Sequence, residues 1–365
     1  LLRTLAILMF YTFFLRSFRL LLLPFSILFW AILYLRSFFY KKQWLRSVTF
    51  GIPLITVGNL AVGGTGKSPM IEYLIELLQQ RYPLATLSRG YRRRTKGYAF
   101  AKPDSTALEI GDEPLMLYRK FPSVAVAVGE ERLLAIPELL HDFPATEVIL
   151  LDGAVQHRAI QAGLTILLTE QSNLFSRDFY LPTGDLRDLK SRYKEADIII
   201  VTKCNPELTL EQRNQIIDEL KPLPTQKVYF TKLVYGIPYH LISKDSYLIA
   251  PENEVLLVTG ISNPSPLKLW IEHLTAYYRQ MQFRDHHIFT ADDLKDIQDE
   301  FKKLTPGKGI VLTTEKDAVR LEKFEKSIQN LPFYVVPVRH EIMFNEKEKF
   351  ERAVTDFIEN FQKQN

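Results

Sequence analysis

Between Ile55 and Leu78 the chain reads ITVGNLAVGGTGKSPMIEYLIELL, and no other stretch constrains the fold as much. A short apolar run breaks into glycines, then a lysine and a serine, then a helical pattern. This reads as a phosphate-binding loop. Gly63, Gly64 and Gly66, with Thr65 among them, let successive backbone N–H groups converge on phosphate oxygens, and the following helix N-terminus adds partial positive charge. Such a loop sets Lys67 on the β- and γ-phosphates of a nucleotide and Ser68 on a magnesium ion. Pro69 suits a first helical turn, where the N–H it lacks would be unpaired anyway. Met70, Ile71, Leu74, Leu77 and Leu78 give the helix an apolar face. One position departs from G-x-x-x-x-G-K-[ST]: residue 61 is alanine, and the nearest glycine, Gly58, comes three residues early. A glycine-rich strand-to-helix turn that binds nothing is the alternative reading.

The chain has 365 residues, enough for about two domains of ordinary size. A net charge of +4, with no long basic stripe beyond the N-terminal region, argues against nucleic acid as a partner. The single cysteine, Cys204, excludes an internal disulfide and fits a reducing compartment.

Apolar residues crowd into Leu1 to Trp44, in two runs separated by Arg16 and Arg19. The second, Leu20 to Leu35, carries no charge over sixteen residues. As a helix it would be roughly 24 Å long, short of a hydrocarbon core of about 30 Å, and Pro24 is expected to bend it. It therefore spans a bilayer with snorkelling arginines, lies in the interface as a bent hairpin, or is a buried helical hairpin. Aliphatic and aromatic side chains on every face favour a membrane. Arg36, Lys41, Lys42 and Arg46 then put the downstream chain on the cytoplasmic side. No small-residue cleavage site follows the run, which argues against a removed signal peptide. The chain opens on leucine, which leaves room for residues upstream.

From Gly51 the pattern changes to short apolar runs alternating with amphipathic stretches. Strands are expected at 52–57, 84–88, 124–128, 147–152, 164–169 and 197–202. Unalternated runs separated by helices predict a doubly wound parallel sheet covered on both faces, with ligands at the carboxyl ends of its strands, where Gly58, Ser88, Asp152 and Lys203 fall. A second, smaller α/β pattern starts near Glu254: strand EVLLVT, a helix around Pro266 to Ala276, a strand near Tyr278 to Phe283, a helix capped by Thr290 and Asp293, strand GIVLTT and a last strand near Phe333 to Val338. The expected organisation is an apolar anchor at 1–46, a P-loop domain at 47–226, a linker at 227–249, a smaller α/β domain at 250–345 and a C-terminal helix at 346–365. Phe350, Val354, Phe357, Ile358 and Phe361 give that helix a docking stripe.

A P-loop site needs a carboxylate at the end of a neighbouring strand to hold magnesium, and Asp152 closes EVILLD. Asp112, in EIGDEP, begins a helix, where a carboxylate either caps or serves as the base that takes a proton from an acceptor. In RDHH, Arg284 to His287, two adjacent histidines on an extended chain point to opposite sides, so at most one enters a site. Without suitably spaced further ligands, metal binding there is not expected. SRGYRRR, Ser88 to Arg94, places four arginines beside a strand end, suiting an anionic substrate or lipid headgroups, or forming a solvated basic loop.

In order and spacing, GNLAVGGTGKSP, LSRGY, GDEP, QHR after the Asp152 strand, LPTGDLR, VTGISNP, FRDHH and TTEKDAVRL resemble the tetraacyldisaccharide 4'-kinase family of lipid A biosynthesis, from about Thr56 to Leu321. The resemblance covers Ala61, since that family's loop does not keep the first glycine. It implies a P-loop fold and transfer of the γ-phosphate of ATP, with Mg2+, to the 4'-hydroxyl of a lipid-linked glucosamine disaccharide 1-phosphate. The acylated acceptor implies work at the inner membrane, on its cytoplasmic face; no protein partner is implied. The family's catalytic aspartate and histidine fall on Asp112 and on the DHH motif, where His286 is favoured over His287, and its disaccharide contacts fall on Arg89 and Tyr91. Two departures stand out. The family usually has two consecutive aspartates after the Walker B strand, and this chain reads Asp152-Gly153. Arg92 stands where glycine is common. Two other readings remain: a membrane-associated P-loop ATPase or GTPase that drives a partner with the DHH region as a switch, and a nucleotide-binding protein without catalysis.

Overall fold

The computed structural model describes residues 19–329 and 331–364. The upstream part of the expected membrane segment, residues 1–18, lies outside them. In chain order the elements are helix α1 (Leu23–Lys41), strand β1 (Leu54–Asn59), α2 (Lys67–Leu78), β2 (Leu84–Ser88), β3 (Ala99–Phe100), α3 (Asp112–Lys120), β4 (Ala125–Val128), α4 (Arg132–Asp142), β5 (Val148–Asp152), β6 (Leu164–Glu170), β7 (Ile198–Thr202) and α5 (Leu210–Leu220). There follow β8 (Lys227–Tyr235), β9 (Tyr239–His240), β10 (Glu254–Thr259), α6 (Ser265–Leu274), β11 (Tyr277–Gln282), α7 (Ala291–Phe301), β12 (Gly309–Thr314), α8 (Glu315–Leu321), β13 (Phe333–Val336), β14 (Val338–Ile342) and α9 (Lys347–Gln364). Contacts divide the chain into two units. One holds the chain up to Lys67, Glu147–Lys232 and the segment from Ile342; the other holds Ser68–Thr146 and Leu233–Glu341.

In the first unit five strands run parallel in the order β8-β7-β6-β1-β5. Their near-continuous apolar sequences match their burial: every residue of β1 and of β7 is buried. The segment 227–249, expected as a linker, opens with β8, which pairs with β7 from Ile198↔Lys227 to Val201↔Phe230. The β-branched and aromatic residues that suggested a linker suit a half-buried pleated surface, and Tyr229 and Phe230 are buried there. Helix α9 docks through Phe350, Val354 and Ile358, all fully buried. A Cβ on Gly163 would meet the Phe357 ring at 2.5 Å, so glycine lets this helix close on the unit.

Helix α1 packs inside out. Its buried residues are Ser26, Leu33 and Ser37, while Phe25, Ile27, Leu28, Trp30, Ile32, Tyr34 and Leu35 are exposed. Ser26 Oγ donates to Thr183 Oγ1 at 2.7 Å, and Ser37 Oγ accepts from Arg158 Nη1 at 2.8 Å. Residues 19–20 are helical and 21–22 form a turn, so the apolar run breaks just before Pro24, which then lies in the first turn of α1, where no hydrogen bond needs its N–H.

The second unit contains β2 and β4 in parallel with β3 antiparallel to β4, and a five-stranded sheet in the order β11-β10-β12-β13-β9. In that sheet β9 alone is antiparallel. Alternate residues of β10 enter different cores. Leu256 and Val258 pack with Leu294 and Ile297 of α7, whereas Val255 and Leu257 pack with Leu267 and Ile271 of α6. The sheet is thus covered on both faces, and its carboxyl edge is formed by residues following β10 and β12.

Candidate functional site

The glycine loop follows β1 directly. Gly63 and Gly66 have φ of +105° and +86°, a region that side chains disfavour. Ala61 is not among the residues with positive φ; it forms an antiparallel bridge with Leu186, while Val62 N donates to Asp185 O at 2.8 Å. An extended backbone at 61 needs no glycine, which is why alanine stands there without strain. Gly58 is required for a different reason, since a Cβ on it would meet Val155 Cγ2 at 2.6 Å. Thr202 Oγ1 donates to Thr65 O at 2.9 Å and pins the loop to the end of β7.

Lys67 Nζ donates to Asn59 Oδ1 at 3.2 Å, and Arg187 Nη2 reaches the same oxygen at 3.1 Å. The amide thus holds two cations at the mouth of the loop. Burial lowers the pKa of Arg187, against the opposing pull of Asp188 and Asp152. Gln156 Nε2 donates to Asn59 O and secures the same residue from the segment after β5.

Asp152 ends β5 opposite Val57 of β1, and Gly153 N donates to Val57 O at 2.8 Å. Ser68 lies in the first turn of α2 and is buried. A hydroxyl and a carboxylate are hard oxygen donors of the kind magnesium takes, and Thr65 Oγ1 is buried with no hydrogen-bond partner among the described residues. Thr65 and Asp152, both in the first unit, have the donor chemistry that fits a magnesium–phosphate group. Gly153 has φ +65°, and no atom lies within 4 Å of the place a Cβ would take, so backbone conformation and not crowding favours glycine there.

The second constellation lies wholly within the second unit. Gly111, with φ +97°, turns the chain into α3, whose first residue is Asp112. The Asp112 side chain does not cap the helix. Its Oδ2 lies 2.8 Å from His286 Nδ1 and 2.9 Å from Arg320 Nε. His286 is not on an extended chain as the sequence had suggested: its φ is +58°, and its N–H donates to Gly260 O at 3.1 Å. His287 turns elsewhere, with Nε2 2.8 Å from Asp293 Oδ2, beside the Thr290 cap of α7.

Tyr91 is exposed and meets the His286 ring edge-on at 5.1 Å between centroids. Arg89 is exposed as well. Arg92, at φ +61°, donates to Asp285 O at 2.8 Å. The arginines therefore divide their roles, because Arg93 is buried on Glu130 at 2.7 Å while Arg89 and Arg94 face solvent. Next to Asp112, burial raises the Glu113 carboxyl, but the Lys316 ammonium at 2.8 Å, with His286 nearby, outweighs it and holds the pKa at about 2. Ligand atoms of Asp112, Glu113 and His286 lie within 4.8 Å of one another. With Arg320 and Lys316 already paired to the two acids, this cluster is assigned no metal.

The profile of the tetraacyldisaccharide-1-P 4'-kinase family matches residues 18–359. The chain belongs to this family. It is 40% identical over 351 residues to the tetraacyldisaccharide 4'-kinase of Bacteroides thetaiotaomicron, covering 92% of each chain. It is 41% identical over 344 residues to that of Flavobacterium johnsoniae, covering 93% of this chain and 97% of the relative. The crystal structure of LpxK from Aquifex aeolicus in complex with ATP superimposes with a TM-score of 0.72 at 25% identity, over 93% of this chain and 99% of that one.

For a member of the tetraacyldisaccharide 4'-kinase family, the two departures noted in the sequence now have a backbone context. Gly153 and Arg92 both occupy left-handed conformations, one kept by glycine and the other adopted by arginine with its side chain tied to Asp285. Sequence reasoning assigned no role to Asn59, Arg187, Lys316 or Arg320. All four lie inside motifs it had quoted or beside them, in GNL, GDLR and TTEKDAVRL. Their partners are 8 to 208 positions away, and only the fold brings them together.

Proposed function

We propose that this chain transfers the γ-phosphate of ATP to the 4'-hydroxyl of a tetraacyldisaccharide 1-phosphate, with Asp112 as the base that receives the hydroxyl proton. The contact between Asp112 Oδ2 and His286 Nδ1 at 2.8 Å carries this reading, because it gives a carboxylate a fixed orientation and a partner for the proton it gains. Gly63, Gly64, Thr65 and Gly66 cradle the phosphates, and Lys67 neutralises charge that develops on the transferred group. Arg187, sharing Asn59 with Lys67, adds a second cation at the same place. Ser68 and Asp152 would hold Mg2+, which screens the phosphate oxygens. Arg89 and Tyr91 contact the disaccharide, Tyr91 offering its exposed ring beside His286. General-base assistance of this kind is worth about 10²–10⁴ in rate.

The acceptor's acyl chains call for a membrane surface. Helix α1 is the helix among the described residues that is long and apolar enough to cross one, and its inward serines and outward aromatics suit lipid on the outer face. Lys41 ends it and Lys42 and Arg46 follow, which orients the kinase to the cytoplasmic face of the inner membrane. The test is incubation of detergent-solubilised protein with γ-labelled ATP, with and without the tetraacyldisaccharide 1-phosphate. Label in the lipid only when acceptor is present supports a kinase. Acceptor-independent phosphate release would point instead to a switch ATPase, and retention of intact ATP to a binding protein.

A further inference from the structure

The motif TTEKDAVRL forms the end of β12 and helix α8, and the phosphate-transfer chemistry leaves it without a part. Four of its side chains nevertheless reach the surroundings of Asp112. Glu315 pairs with Lys120 at 2.7 Å, at the far end of the helix that Asp112 begins, and Lys316 pairs with Glu113. Asp317 Oδ2 accepts from Gly260 N at 3.1 Å. Arg320 goes further than these. Its Nε lies 2.9 Å from Asp112 Oδ2, and its Nη1 donates to Asp317 Oδ1 at 3.1 Å and to His287 O at 3.3 Å.

We infer that Arg320 is a positioning residue for phosphoryl transfer, acting through Asp112 and the His286–His287 turn; this rests on the reading of Asp112 as the base. Two observations separate such a role from ordinary core packing. First, Arg320 is 5% exposed, yet its Nη2 has no hydrogen-bond partner among the described residues and its Nε contact is an ion pair poorly directed for hydrogen bonding. A buried arginine placed for its own satisfaction would use those donors. Here the guanidinium is fixed by Asp317 so that its charge lies on the carboxylate. Second, the same guanidinium touches the supports of both members of the pair. It holds the oxygen that His286 meets, and it holds the carbonyl of the residue after His286, in a turn where His286 keeps φ +58°. Without it, Asp112 Oδ2 keeps only the His286 ring among the described side chains on that oxygen, and the turn loses its bond at His287 O. A base that rotates away from the acceptor lowers turnover without lowering the affinity for ATP.

The experiment is a double-mutant cycle on kcat with saturating ATP and acceptor, using Arg320→Gln in the parent and in Asp112→Asn. Removing Arg320 alone leaves the buried Asp317 unpaired, so Asp317→Asn/Arg320→Gln, which removes both charges together, is measured beside it, with thermal melting and ATP binding of every variant. The proposal expects kcat to fall at least 20-fold in the folded Arg320 variants, with ATP affinity within twofold, partial recovery in Arg320→Lys, and a further loss of no more than twofold when Arg320→Gln is added to Asp112→Asn. An equal loss in both backgrounds means a general structural role and overturns it. So does a folded Asp317→Asn/Arg320→Gln enzyme with parental kcat while Asp112→Asn is inactive. If Asp112→Asn itself turns over normally, the base assignment fails first and Arg320 falls with it, a result distinct from the other two.

Discussion

His286 Nδ1 stands 2.8 Å from Asp112 Oδ2, although 174 positions separate the two residues. The contact is built from two unusual backbone positions. Gly111 turns into α3 with φ +97°, and His286 itself takes φ +58°, uncommon for a residue with a Cβ. Positions of this kind cost of order 1–3 kcal/mol and persist where the surroundings over-determine them. Here Gly260 O, Arg320 and Tyr91 surround the histidine.

The shared amide of Asn59 gives a first prediction. Lys67→Ala should lower kcat by about 10² or more, because a cation on the transferring group is lost, and Arg187→Ala should do the same to a lesser degree. Both variants should keep the melting temperature within a few degrees, since neither side chain is part of a core cluster. Steady-state kinetics on ATP check this, and full activity in Lys67→Ala would remove the loop from the mechanism.

Gly153 offers a second. Space is available for a side chain, but φ +65° costs a non-glycine residue about 1 kcal/mol, least for aspartate and asparagine. Gly153→Asp should therefore fold with a slightly lower melting temperature while reducing the magnesium concentration for half-maximal rate. Gly153→Ala, with a somewhat larger backbone cost and no carboxylate, should show a stability loss without the change in magnesium requirement. Identical magnesium curves for parent and Gly153→Asp would show that a second acid contributes nothing at this position.

The Glu113–Lys316 pair predicts how stability depends on pH. A folded pKa of about 2 lies below the ordinary carboxyl value of 4.5, so this group's stabilisation is fully present above pH 4.5 and is lost as pH falls toward 2. In Lys316→Met the buried carboxylate keeps its desolvation and loses its main partner, so the variant should be less stable near neutrality by about 2 kcal/mol. The gap should narrow on acidification, because Glu113 protonates at higher pH in the variant and sheds its desolvation penalty, while the parent loses its advantage progressively below pH 4.5. Melting curves from pH 3 to 8 measure this; a constant gap across that range would contradict the assignment.

Helix α1 gives a fourth. Deleting residues up to 45 should move the protein to the soluble fraction, and it should also destabilise the remainder. With the helix gone, Thr183 loses the Ser26 hydroxyl and Arg158 Nη1 loses Ser37, although Arg158 keeps its ion pair with Asp188. Quantitative sedimentation of the truncated protein with membranes would mean that another surface binds lipid.

What could be read from the sequence follows the range of the interactions. The glycine loop, the parallel strands and the Thr290 cap are set by neighbours within a few residues, and their positions fell within about two residues of the observed ones. Residues 227–249 misled because an aromatic, β-branched stretch serves equally as linker or strand until its pairing with β7 is known. The fully buried Ile75 was missed in α2, where Leu77 was expected and is only half buried, because one face of a helix that packs broadly is wider than a narrow stripe. Arg320 and Asn59 were invisible as functional residues for another reason. Their significance lies in which distant atoms they touch, and spacing along the chain carries no record of that.

The central claim is tested most directly by following label from γ-labelled ATP into the acylated disaccharide in a single turnover with enzyme in excess, for the parent and for Asp112→Asn. The account predicts that the parent places all transferred label on the 4'-oxygen, and that Asp112→Asn binds ATP with unchanged affinity but transfers at least about 10²-fold more slowly. Transfer at the parental rate by Asp112→Asn, or label released as free phosphate regardless of acceptor, would contradict it.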